Sequence, residues 1–152
     1  MTSSSSGDDI FVGSQEEWLA AVPRYQLETI NNLLGAGNTP ERVAEIWLSS
    51  NGAESVAGFG SSSTNQAFVD KVKIEVREFV CGGKKYESDR KALLSHSGKT
   101  QTFVVSTIST AVALHVGAAA AYLVPVIALL LVVCAKVGRN AWCADFQSGA
   151  EQ

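Results

Sequence analysis

Residues 102–135, thirty-four in a row, contain no Asp, Glu, Lys or Arg. No other property of this 152-residue chain limits its fold as strongly. A helix drawn from such a stretch has no face for water, so protein or lipid must cover it on every side. The stricter apolar part, 111–135, is 25 residues long. At 1.5 Å per residue it would reach about 37 Å, enough to cross a hydrocarbon core of about 30 Å with some tilt. Lys99 closes the run on one side, Lys136 and Arg139 on the other, and Trp142 follows where aromatic residues collect at a membrane surface.

All 12 basic and 15 acidic side chains therefore lie outside the run. They are segregated: residues 1–60 carry a net charge of −6, residues 61–101 a net of +3, and residues 102–152 a net of zero. The overall balance of −3 excludes the basic footprint of a nucleic-acid binder. Before the run stand Lys84, Lys85, Arg90, Lys91 and Lys99, and after it only Lys136 and Arg139. The positive-inside rule then predicts a cell-membrane protein with a cytoplasmic N-terminal domain and an outer C-terminal tail.

The N-terminal part reads as short helices. Ser14 and Glu17 fit a capping box, and Trp18, Leu19 and Val22 follow as an apolar stripe. Pro23 ends or kinks that helix. Residues 24–34 place Leu27, Ile30, Leu33 and Leu34 at helical spacing, and Gly35-Ala36-Gly37-Asn38 stops them. Thr39 as N-cap and Pro40 at the first helical position open a third helix, which Asn51-Gly52 should close. A Gly/Ser-rich loop is expected over 53–64. Residues 65–80 fit a helix capped by Thr64 and stopped by Gly82-Gly83, yet Val72, Ile74 and Val76 also alternate as in a strand. The length of the run and the lack of a partner strand favour helix. Residues 86–94 read as a further short helix, broken by Ser95-His96-Ser97-Gly98.

The expected architecture is all-α: a small cytoplasmic helical bundle (14–95) followed by a single C-terminal transmembrane helix (102–136). A disordered tail (1–13), a basic linker (96–101) and a short C-terminal tail (137–152) complete it. Trp18 and Trp47 are expected as core anchors. Cys81, Cys134 and Cys143 are too few and too scattered for a disulfide framework or a structural zinc site, which suggests a reducing compartment for the N-terminal part.

Within the uncharged run, Ser109, Ala113, Gly117 and Ala121 recur every four residues. In a continuous helix this is a small-residue ladder along which two spans can associate, with membrane lipid around them. His115 lies among these residues as a possible intramembrane polar site. The alternative is a soluble chain that buries the run, either as one helix or as a hairpin broken near Gly117 or Pro125.

No catalytic constellation is visible, so no enzyme, cofactor or metal is expected. Gly98-Lys99-Thr100 ends like a phosphate loop, but Leu93 stands where its first glycine belongs. Ser88-Asp89-Arg90-Lys91 matches a short catalytic pattern without its companions. The expected function is a helical binding or sensing domain, for an unknown protein or small-molecule partner, coupled to a self-associating span that forms a pore or disrupts the membrane. The alternatives are an adaptor module that the span merely localises, and a soluble assembly with a buried apolar helix.

Overall fold

The computed structural model describes residues 10–55, 62–144 and 146, with the backbone alone over 50–55 and 62–65. Most of the expected tail 1–13, the Gly/Ser-rich centre of the loop at 53–64, and residues 145 and 147–152 of the C-terminal tail lie outside the described residues. Every regular element among the described residues is helical. In chain order these are α1 (Gln15–Leu19), α2 (Arg24–Gly35), α3 (Pro40–Ser55), α4 (Ser62–Cys81), a 3-10 turn (Lys84–Tyr86), α5 (Glu87–Ser95), α6 (Gln101–Val116), α7 (Ala120–Val137) and α8 (Arg139–Trp142).

The helix starts follow from local chemistry. The Ser14 hydroxyl accepts from the Glu17 amide, while the Glu17 carboxylate accepts from the Ser14 amide at 2.8 Å. The reciprocal pair satisfies two orphan donors of α1. Thr39 accepts from the Arg42 amide at 3.1 Å and starts α3. Thr100 does the same for α6, accepting from the Phe103 amide at 3.1 Å. The residues that end like a phosphate loop are thus a turn, with Gly98 at φ +73° and Thr100 as a cap.

Two boundaries differ from the sequence reading. Helix α3 runs through Asn51-Gly52 to Ser55, and α4 begins before Thr64, at Ser62. A Gly inside a helix costs only about 1 kcal/mol, so one glycine does not oblige the chain to leave it. Residues 65–80 are helix, not strand: Val69, Val72, Val76, Phe79 and Val80 are buried, while Ile74, which strand alternation would bury with Val72 and Val76, is exposed.

The largest difference concerns the uncharged run. It is not one helix over 102–136 but two, α6 and α7, which pack along each other as a hairpin. Gly117 turns the chain. It ends α6 in the left-handed conformation, φ +75°, with its amide on the Ala113 carbonyl at 3.0 Å. Ala119 is extended and starts α7.

Helix α7 is the centre of the molecule. Helices α1, α2, α3, α6 and α8 all pack on it. Pro125 through Val132 are buried without interruption, so no face of this stretch meets water. Trp47 in the middle of α3 meets Tyr122 at the start of α7, whereas Glu41 from the start of α3 and Val137 from the end of α7 line one cleft. The two helices therefore run antiparallel. Phe68 stacks on Tyr122 and Arg77 reaches Trp142, so α4 runs parallel to α7. Trp18 and Trp47 are both buried in this core.

Cys81, the last residue of α4, is bonded to Cys143 just past α8, with the Cα atoms 5.6 Å apart. This pairing corrects the reading of three unpaired, scattered cysteines. The partners are 62 residues apart, and such a spacing carries no local signal. Closing a loop of that length stabilises a fold by about 4 kcal/mol in the chain-entropy account.

Gly117 provides a test whose sign discriminates. Its Cβ position is open, so Gly117→Ala meets no neighbour and changes the backbone alone. At a left-handed position the change should cost about 1 kcal/mol, read as a lower urea midpoint at unchanged slope. In a continuous helix over 102–136 the same change would raise stability by roughly 0.5–1 kcal/mol.

Candidate functional site: the uncharged hairpin and its fastenings

Among the described residues, α7 is the one helix long and apolar enough to cross a membrane by length and composition, with α6 a shorter apolar partner. The site is this hairpin together with the groups that hold it inside the bundle.

At the start of α7 the fastening is polar. Pro125 has no amide proton, so the carbonyl of Ala121, four residues earlier, loses its helical donor. The Gln26 side-chain amide, on α2, donates to that carbonyl at 3.4 Å. Next to it, the Trp47 indole donates to the Tyr122 carbonyl at 3.0 Å, and the Tyr122 hydroxyl donates to the Leu48 carbonyl at 3.3 Å. Trp47 and Phe68 stack on the Tyr122 ring at 6.2 and 6.4 Å. The helix irregularity that proline creates is thus where α2 and α3 take hold.

At the other end the fastening runs through α4. The last four carbonyls of a helix lack internal donors. Here the Glu78 carbonyl accepts from the Gly83 amide at 2.8 Å, with Gly82 at φ +103° making the turn. A Cβ at Gly83 would displace the end of the Glu78 side chain and press on the Glu78 carbonyl at 3.2 Å. Arg90 donates to the Phe79 carbonyl at 3.1 Å, and Arg139 donates to the Val80 carbonyl at 2.9 Å. Arg77 donates to the Trp142 carbonyl at 3.0 Å and lies over the Trp142 ring at 5.5 Å. The disulfide lies in the same place.

The residues singled out from sequence fall as follows. Ser109 is buried, Ala113 is half-buried, and Gly117 and Ala121 are exposed. The turn at Gly117 divides the four between two helices, so they do not form one continuous face. The buried Ser109 hydroxyl has no hydrogen-bond partner among the described residues. His115 is exposed in the last turn of α6, its ring edge-on to Tyr86 at 5.0 Å. Of the basic set, Lys84, Lys91 and Lys136 are exposed. The others are engaged: Lys85 with Glu75 at 2.7 Å, Lys99 with the carbonyls of Leu94 and His96, and Arg90 and Arg139 as helix caps. Sequence reading missed the capping role of the arginines, because it depends on contacts between distant helices.

Two other features were weighed as sites. Among the described residues no three His, Cys, Asp or Glu side chains gather as a metal would need. A cleft of about 360 Å³ between α3, α4, α7 and α8 has an apolar floor and a rim of Glu41, Lys73 and Arg77. Its cations are already engaged: Lys73 bridges Glu41 at 3.1 Å and Glu45 at 2.8 Å, and Arg77 holds Trp142.

Beside the hairpin, Glu75 is 3% exposed and accepts from Lys85 and from the Tyr86 hydroxyl, which also carries the His115 ring. Burial pushes the Glu75 carboxyl up, but the bonds from Lys85 and Tyr86 outweigh it and hold it below its ordinary value. Burial and the Glu75 charge together push the Tyr86 hydroxyl up. Because Glu75 is depressed in the folded state, its contribution to stability is complete above the unfolded value of 4.5. It is lost as pH falls through the folded value. Urea midpoints should therefore drop as pH falls below about 4.5, and Glu75→Gln should flatten that drop. It should not abolish it, because the Lys73 hydrogen bond holds Glu45 below its ordinary value as well.

No protein-family model, curated protein or solved structure matches this chain.

Proposed function

We propose that this chain is a small, non-catalytic, membrane-active protein whose helical bundle stores an uncharged hairpin and delivers it to a bilayer. The observation that carries the reading is α7: eight consecutive residues, Pro125 to Val132, are covered on all faces by short helices. Lipid can replace that cover without burying a charge, because the run has no charged side chain. Helix α6 is 16 residues long and α7 is 18, about 24 and 27 Å, close to the thickness of a hydrocarbon core.

A hairpin has both flanks on one side of the bilayer and its tip, Gly117 to Ala119, on the other. This suits the Cys81–Cys143 bond, which a single pass over 102–136 would stretch across the membrane. The membrane form is therefore a two-crossing hairpin, in place of a single span. The basic residues on the bundle side favour a cytoplasmic bundle. Self-association would use the small and hydroxylated residues left uncovered on α6, Thr102, Ser106 and Thr110, with Gly117 and Ala121 at the tip. Leu114, 83% exposed on the same helix, adds an apolar contact for lipid or a second copy.

The second reading is a soluble assembly in which the hairpin is a permanent core. The fastenings of Ala121 and Tyr122 favour it, because they would be given up on insertion.

Flotation of the purified full chain with vesicles of phosphatidylcholine and phosphatidylglycerol separates the two. The expected outcome is that protein rises with the vesicles and a fraction resists an alkaline carbonate wash. Protein that stays wholly in the dense layer, oxidised and reduced alike, would establish the soluble reading.

A further inference from the structure

Helix α8 has four residues and follows Gly138, whose φ is +92°. A helix of one turn does not hold itself in water. What fixes it is a set of ties to the last two turns of α4: the Cys81–Cys143 bond, Arg139 on the Val80 carbonyl, and Arg77 on the Trp142 carbonyl and ring. Only one of these is covalent. The distal end of the hairpin is thus fastened to the bundle at one place, by one bond that chemistry can open. Both cysteines are half-buried, not sealed in the core. On the cytoplasmic face proposed above, where thiol pools are reducing, a disulfide is the regulated kind.

We infer that the Cys81–Cys143 bond is a redox clasp that keeps α7 sheathed, and that a dithiol reductant releases it. One thiolate of the reductant attacks a sulfur of the pair, forming a mixed disulfide, and the other cysteine leaves as a thiolate and takes up a proton. The second thiol of the reductant then displaces the first cysteine and closes the reductant's own disulfide. Two electrons and two protons pass to the protein, which now carries thiols at Cys81 and Cys143. The remaining ties of α8 are hydrogen bonds and a ring contact, which water can replace. The α7–α8 end then opens locally while the bundle keeps its helices. That the opened hairpin enters a bilayer rests on the function proposed above; the opening itself does not.

The chain carries its own reporter. Cys134, on α7, is fully buried and outside the disulfide. In the double variant C81S/C143S it is the one remaining thiol. A water-soluble maleimide should label Cys134 about tenfold faster in this variant than in the oxidised wild type, with helical circular dichroism unchanged. The same comparison is made on wild type reduced with a water-soluble phosphine, with Cys134 read by mass spectrometry, so that a folding defect of the variant does not decide the matter. Equal labelling rates in oxidised and reduced wild type would overturn the clasp. So would loss of helicity on reduction, because the bond would then support the whole fold rather than gate one end. Flotation with the same vesicles separates the two proposals. Cys134 exposed on reduction without flotation leaves the clasp standing and removes the membrane reading. Flotation of both oxidised and reduced protein, with equal Cys134 labelling, leaves the membrane reading standing and removes the clasp.

Discussion

A helix without a charged residue over its first 16 positions has little side to offer water, and the rest of the molecule is arranged to cover α7. The covering helices are short and amphipathic, and several are too short to persist alone. Each gains its stability from the stripe it lays on α7 or on its neighbours. This explains why α1, with five residues, is ordered at all, whereas α8, with four and none of them buried, is held by its ties to α4. The dependence is mutual. The sheath holds α7 away from water, and α7 supplies the apolar surface on which the sheath folds.

The cover has to solve two backbone problems that apolar contact does not. Pro125 orphans the Ala121 carbonyl, and the C-terminus of α4 leaves three carbonyls without helical donors. Burying such groups unpaired would cost roughly 1–3 kcal/mol each. Both are met by side chains from distant sequence: Gln26 at the first, with Trp47 beside it on the Tyr122 carbonyl, and Arg90 and Arg139 at the second. These few polar contacts therefore specify which helix sits where, while the apolar contacts supply most of the stabilisation. Arg90 illustrates the cost. Burial and the nearby Arg139 charge both oppose its ionisation, and burial is the larger cause.

The parts of this fold that depend on neighbours within four residues were legible in the sequence. The capping box at Ser14, the stop at Pro23, the start at Thr39-Pro40 and the break after Ser95 all rest on local hydrogen bonds or on a fixed φ. What depends on distance was not. Gly117 among four alanines reads equally well as a helix-packing contact and as a left-handed cap; whether the flanking segments pack on each other decides between them. Breaking the helix there divided Ser109 and Ala113 from Ala121, and so removed the face that the four-residue spacing implied. His115 reads as an intramembrane polar group only while the run is taken as one span; at the end of α6 it lies exposed over Tyr86. The arginines that flank the run count as a basic collar by position, yet two of them turn inward to cap α4. The disulfide joins residues whose separation is set by the whole hairpin.

The hairpin and the disulfide constrain each other. Cys81 precedes the uncharged run and Cys143 follows it, so a bond between them fixes both flanks on one side of any boundary the run might cross. A chain tied in this way can cross a bilayer between those residues an even number of times or not at all. One continuous helix satisfies neither condition in a membrane. Two helices joined at Gly117 satisfy both, because they pack on each other within the bundle and keep their ends together outside it. The left-handed turn at a single glycine therefore makes the closed globule and a two-crossing form compatible with the same covalent bond. The tie between α4 and α8 then becomes the contact that separates one form from the other.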